Sequence, residues 1–147
     1  MHDLAPQQKR NARISALQVI YAQELNGSDM DTTFKYILDY ENWLTKDVVT
    51  YGKHLCFLTF KHLHETDELI KQRSKNWDFD RITIMDRLIL RMSITEMLYE
   101  KGVPPKVSIT EGVEIAKQFS TSDSSSFING ILDAVYQDLI KRQDKTV

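Results

Sequence analysis

The sequence predicts an all-α protein. Only five glycines and three prolines punctuate 147 residues, and the apolar positions recur at intervals of three and four, which is the period of a helix. The 41% hydrophobic and 27% charged fractions lie in the ordinary globular range, with aromatics spread along the chain, so a packed core rather than disorder is expected. The length is that of one ordinary domain, enough to bury a core without disulfides or a structural metal. The chain therefore reads as one folded domain over 1–147, with six or seven helices.

The first helix is expected from about Gln7 to Leu25. There Arg10, Ile14, Leu17 and Tyr21 fall within about 60° of one another at about 100° per residue, and Ala12 and Ala16 add propensity. The stretch NGSDMD ends it, offering Gly27 at the stop and Ser28, Asp29 or Asp31 as the next N-cap, with a short second helix following to about Tyr40. Thr45 is the expected cap of a long third helix running unbroken to about Lys75, with Tyr51, Leu55, Leu58, His62 and Leu69 along one face. Beyond the polar RSKNWDFD, Asp80 is the expected cap of a fourth helix, RITIMDRLILRMSITEMLYEK. Its apolar residues surround the axis, so it belongs in the middle of the fold. Arg91 and Glu96 within it read as paired structural charges, because unpaired burial is expensive. Gly102 with Pro104 and Pro105 ends this helix, and Ser108 with Glu111 matches a capping box for a fifth helix reaching Phe119. The last helix is expected from Ser122 or Asp123 to about Arg142. Gly130, inside FINGILD, costs about 1 kcal/mol relative to Ala in a helix; close approach of a neighbouring helix is the expected reason.

Several kinds of chemistry are excluded. The pair His62 and His64 in HLHE would point about 160° apart on a helix, and only one cysteine exists to assist, so no metal site is expected. Phosphate-cradling glycine motifs and a nucleophile elbow are missing from the sequence. No acids can be singled out as an acid and base pair, so neither a cofactor nor catalysis is expected. Cys56 lies in the apolar LCFLTF and reads as a buried thiol, which fits a reducing cytoplasm. The N-terminus lacks the apolar core of a signal peptide, and no run approaches the roughly 18 apolar residues of a membrane span.

Binding chemistry remains. A net charge of −2 means that nucleic-acid contact must come from a local patch. Basic residues cluster at Lys9, Arg10 and Arg13, and again at Lys141, Arg142 and Lys145. Each cluster reads either as a phosphate clamp or as a solvated helix face. The stretch FSTSDSSSF, residues 119–127, sets two rings around a polar helix start, whose amides attract anions. Aromatics beside phosphate donors form a platform for single-stranded nucleic acid, with Asp123 suited to base edges rather than phosphate. The alternative is that Phe119 and Phe127 pack two antiparallel helices and Asp123 is an N-cap.

The block VPPKVSITEGVEIAKQFSTSDSSSFINGILD, residues 103–133, resembles the most recognisable segment of the NusB family of transcription antitermination factors. DRLILRMSITEML is similar to that family's acidic-led central helix, and RNARISALQVIYAQEL to its first. The resemblance implies two small helical bundles and no enzymatic activity. It implies binding to single-stranded boxA RNA in ribosomal transcripts, together with the ribosomal protein NusE, within an RNA polymerase antitermination complex. By position it assigns RNA contact to Lys9, Arg10, Arg13, Tyr21, Lys106, Phe119, Asp123 and Phe127, and complex formation to Asp86. A homodimer, which would hide the RNA face, is the alternative assembly. Asn11 interrupts a run that is often continuous arginine in the family, and Ser125 and Ser126 replace possible cations. The rival readings are the N-terminal domain of an RNA cytosine methyltransferase, for which this chain is expected to be too short, and a scaffold that binds only protein.

Overall fold

The computed structural model describes residues 4–41, 44–74 and 78–146, with side chains described as far as Arg142. Among the described residues the regular structure is entirely helical: α1 (Pro6–Asn26), α2 (Met30–Tyr40), α3 (Lys46–Lys61), α4 (Leu63–Arg73), a short 3-10 turn (Phe79–Arg81), α5 (Ile84–Tyr99), α6 (Pro105–Phe119) and α7 (Ser122–Thr146). The chain divides into two compact units, Met1–Lys61 and His62–Val147.

Local chemistry sets several helix ends as expected. Gly27 closes α1 in the left-handed conformation, at φ 69°, which glycine adopts without a Cβ penalty. Asp29 accepts the Thr32 amide at 3.0 Å, and Thr45 accepts the Val48 amide at 3.3 Å, so both act as N-caps.

The predicted third helix is two helices. The backbone leaves helical geometry at His62, with φ −111° and ψ 22°. The His62 ring stacks on Tyr99 of α5, with centroids 3.7 Å apart and planes 11° from parallel, a contact that outweighs helical continuity. The predicted end at Lys75 lies outside the described residues; α4 is capped at Ser74. Asp80 does not cap α5 either. It sits in the 3-10 turn, and Thr83 is the cap, accepting the Asp86 amide at 3.3 Å. Nor do Ser108 and Glu111 form a capping box, because α6 already begins at Pro105, whose fixed φ suits the first helical position. Ser108 is buried and donates its hydroxyl to Glu96 Oε1 at 2.8 Å.

In the first unit, small residues let α1 and α3 approach closely. Ala12 and Ala16 of α1 are fully buried. A Cβ added at Gly52 would lie 2.7 Å from Ser15 Oγ and 3.2 Å from both the Ala12 carbonyl oxygen and Phe34 Cε1. Cys56 points its Sγ at the Ala16 carbonyl oxygen, 3.6 Å away, and burial pushes its thiol pKa up to about 12.

In the second unit, α5 is central. Leu88, Ile89 and Leu90 are each 0% exposed, and successive residues turn by about 100°, so the helix is covered on every side. Its charges are partnered as the sequence suggested: Arg91 makes a bidentate pair with Asp67 of α4, at 2.7 and 3.0 Å, and Glu96 accepts from Ser108. Gly112 of α6 provides close approach here, since an added Cβ would fall 2.6 Å from Ser93 Oγ and 3.1 Å from Leu132 Cδ1. Gly130 does not. It is exposed, and nothing lies within 4 Å of an added Cβ, which overturns the expectation of a neighbouring helix at that point.

Two glycine substitutions should therefore move stability in opposite directions. Gly52→Ala overfills the α1–α3 contact and is expected to cost about 1 to 3 kcal/mol. Gly130→Ala is expected to stabilise α7 by about 0.5 to 1 kcal/mol. Urea unfolding followed by circular dichroism measures both.

Candidate nucleic-acid interface

The polar link between α6 and α7 is ordered by its hydroxyls. Thr121 Oγ1 accepts the Ser124 amide at 3.1 Å and lies 3.0 Å from Ser124 Oγ. The Thr121 carbonyl accepts the Ser125 amide at 3.3 Å, and Ser125 Oγ donates to the Ser122 carbonyl at 2.8 Å. Thr121, rather than Asp123, thus acts as the N-cap, and two amides of the helix start are occupied within the turn. An anion at this end would meet only the first positions of α7, Ser122 and Asp123, so the amide contribution is smaller than the sequence implied.

Asp86 joins this link to the start of α5. It is only 5% exposed, and its Oδ1 accepts the Ser120 hydroxyl at 2.9 Å. Its place in the first turn of α5 also sets the carboxylate against the positive end of the helix dipole.

A cavity of about 270 Å³ opens beside this tie, lined by Arg81, Ile82 and Thr83 before and at the cap of α5, by Asp86, and by Asp123, Ser124 and Phe127 of α7. Its wall thus combines one cation, one exposed carboxylate, hydroxyls and the half-buried Phe127 ring. Such a mixture suits a flat, hydrogen-bonding group: the ring offers a stacking face, Asp123 accepts from amino groups, and Arg81 can meet an anion.

Of the residues expected in the site, Asp86, Asp123 and Phe127 come together here. Phe119 ends α6 half-buried and does not line the cavity. Lys106 is exposed in the first turn of α6, about 20 Å along the helix axis from Phe119 at 1.5 Å per residue. It borders a different cavity, with Asp133 and Tyr136 of α7. Lys9, Arg10, Arg13 and Tyr21 all lie on α1, in the first unit. Lys9, Arg10 and Tyr21 are partly exposed, whereas Arg13 is 3% exposed. Ser125 is buried and Ser126 exposed, so only one of the two serine replacements alters the surface charge. Of the C-terminal cluster, Lys141 and Arg142 border a cavity with Arg73; the side chain of Lys145 lies outside the described residues. Arg81 is the residue missed by sequence reasoning. The signal was present in Thr83 and Asp86, an alternative cap three residues ahead of an acid, which would have left Arg81 outside the helix.

Among the described residues, no group of three or more His, Cys, Asp or Glu is placed to hold a metal ion. No helix among them is long and apolar enough to cross a membrane.

Two helical units and a corner of mixed aromatic, acidic and hydroxyl character define an all-α protein with a candidate binding surface. More specifically, the chain belongs to the NusB family, whose model matches residues 10–137. It is 39% identical over 135 residues to the transcription antitermination protein NusB of Salinibacter ruber, an alignment covering 89% of this chain and 82% of that one. A chain in the crystal structure of a plectonemic RNA supercoil superposes with a TM-score of 0.82 at 28% identity, covering 91% of this chain and 97% of the other. A chain in the crystal structure of antitermination factors NusB and NusE in complex with double-stranded RNA gives 0.79 at 27% identity, covering 91% and 99%.

The tie between Asp86 and Ser120 should be measurable. Asp86→Ala strands the half-buried Ser120 hydroxyl and is expected to lower unfolding free energy by about 1 kcal/mol. Asp86→Asn, which keeps an acceptor, should cost less; equal losses in chemical denaturation would show that the bond contributes little.

Proposed function

We propose that the protein is a transcription antitermination adaptor that binds single-stranded boxA-type RNA together with the ribosomal protein NusE, and acts by recruitment to RNA polymerase without covalent chemistry. The observation that carries this reading is the α5–α7 corner, where the half-buried ring of Phe127 and the exposed carboxylate of Asp123 border one cavity with Arg81. Membership of the NusB family supports it, as does the likeness to a chain crystallised with NusE and RNA.

In this reading Phe127 stacks on a base and Asp123 accepts from a base edge. Arg81, Lys9 and Arg10 neutralise phosphates, while Tyr21, Lys106 and Phe119 serve as secondary contacts. Arg13, being buried, supports its helix more than it meets solvent-borne phosphate. Asp86 acts in complex formation by fixing the corner that NusE and RNA meet. With about three neutralised phosphates, the logarithm of affinity should fall with the logarithm of salt at a slope of about −2, given about 0.7 per phosphate on a single strand.

The direct experiment is equilibrium binding of the full chain to a boxA oligonucleotide, a scrambled one and a duplex, each with and without NusE. Preference for the boxA strand is expected; no sequence preference in either condition would refute the reading. Phe127→Ala should weaken boxA binding by about 1 to 3 kcal/mol, with thermal melting followed in parallel because the ring is partly packed. A lowered melting temperature with unchanged affinity would assign the ring to packing. Asp123→Asn should narrow the gap between boxA and scrambled RNA more than it changes the average affinity, and equal losses on both would remove its role as a base reader.

A further inference from the structure

Nothing within the protein accounts for Gly130. It lies in the interior of α7, where glycine weakens a helix relative to alanine. Neither of the usual reasons for keeping glycine applies. Among the described residues only Gly27 has a positive φ, so the backbone at residue 130 suits any side chain. No neighbour lies within 4 Å of an added Cβ, so no packed helix needs the space. The room that this glycine keeps is on the exposed surface.

That surface is the candidate interface. At about 100° per residue, Asp123, Phe127 and Gly130 fall within about 60° of one another around α7, and the first two line the α5–α7 cavity. Gly130 stands three residues beyond Phe127, about 4.5 Å along the axis at about 1.5 Å per residue. A side chain at this position would lean back over the turn that carries the ring. Without one, the backbone beside Phe127 is bare.

Bare backbone inside a helix admits only certain groups. Its amides are committed to carbonyls four residues back, so a phosphate finds none of the donors that a helix start offers. Its carbonyls keep a second lone pair, and the glycine Cα presents only hydrogens. A group with C–H faces and one hydroxyl to donate fits such a floor. The ribose of a nucleotide is that group, and its 2′-hydroxyl is the donor that DNA lacks.

We propose that Gly130 is a specificity-determining residue of the RNA surface: its bare backbone seats the ribose beside the base stacked on Phe127, and a side chain there displaces it. This inference rests on the RNA reading above. Helix propensity is given up at Gly130 because the ligand needs the space, as expected where a local rule is broken at a functional position. The face shared with Asp123 and Phe127 favours a nucleotide over a protein partner.

The test measures folding and binding on the same variants of the full chain. Gly130→Ala should raise the melting temperature yet weaken the boxA RNA strand about tenfold, the effect of crowding a fitted contact. Gly130→Gln should weaken it further. A deoxyribose version of the strand, which the parent protein should bind less tightly, should lose less. A purely structural role would move stability alone, so a stabilised Gly130→Ala protein with unchanged RNA affinity would overturn the proposal. Equal losses on the RNA and DNA strands would overturn the ribose assignment. Weakened NusE binding with unchanged RNA binding would set a protein against Gly130, which equally ends it. Absence of boxA preference in the parent protein refutes the antitermination reading alone, because the Gly130→Ala loss is read on scrambled RNA as well; no binding of any single-stranded RNA overturns both.

Discussion

A helix covered on every side carries charge at low cost only where the charge meets a partner on another element. In the second unit three of the four charged residues of α5 hydrogen-bond to three different neighbours, while the guanidinium of the fourth, Arg87, lies over the Phe79 ring, 5.3 Å from its centroid. Arg91 pairs with Asp67 on α4, Glu96 accepts from Ser108 on α6, and Asp86 accepts from Ser120 at the start of the α6–α7 link. Leucine and isoleucine supply the burial, but they would tolerate a helix that slid or rotated by a few degrees. Charged hydrogen bonds do not, because misalignment leaves a desolvated group unanswered. The register of the unit therefore depends on three polar contacts distributed along one apolar helix.

The last of these contacts is also what shapes the candidate interface. Asp86 belongs at once to the cap region of α5, to the wall of the cavity and to the link that launches α7. Because Ser120 is held there, Thr121 is placed to cap α7, and Asp123 and Phe127 emerge from its first turns in a set orientation. Asp86, which resemblance assigns to complex formation, and Asp123 and Phe127, two of those it assigns to RNA contact, thus share one hydrogen-bonded corner.

Helix ends governed by nearby side chains were legible in the sequence. Gly27, Asp29 and Thr45 each act through bonds or torsions within a few residues, and local pattern suffices to find them. Ends governed by distant contacts were not. The break at His62 depends on Tyr99, and Ser108 turned inward because Glu96 needed a donor; neither partner is visible in a window of adjacent residues. Glycines divided in the same way: the tight contacts fall at Gly52 and Gly112, whereas the conspicuous Gly130 faces open space. Within the site, Phe127 and Asp123 could be found from the polar break alone. Arg81 was hidden by assigning the cap to Asp80 instead of Thr83. The burial of Arg13 was equally hidden, since a cation in a basic run ordinarily stays in water.

The lone thiol in the first unit makes a different point. Cys56 is held as a neutral sulfur against the Ala16 carbonyl, where α1 and α3 come close. Oxidants and electrophiles act on thiolates they can reach, so ordinary redox swings pass this thiol by. Any adduct found on that sulfur would instead be a record that the two helices had parted, which makes an otherwise inert atom a chemical timestamp of opening.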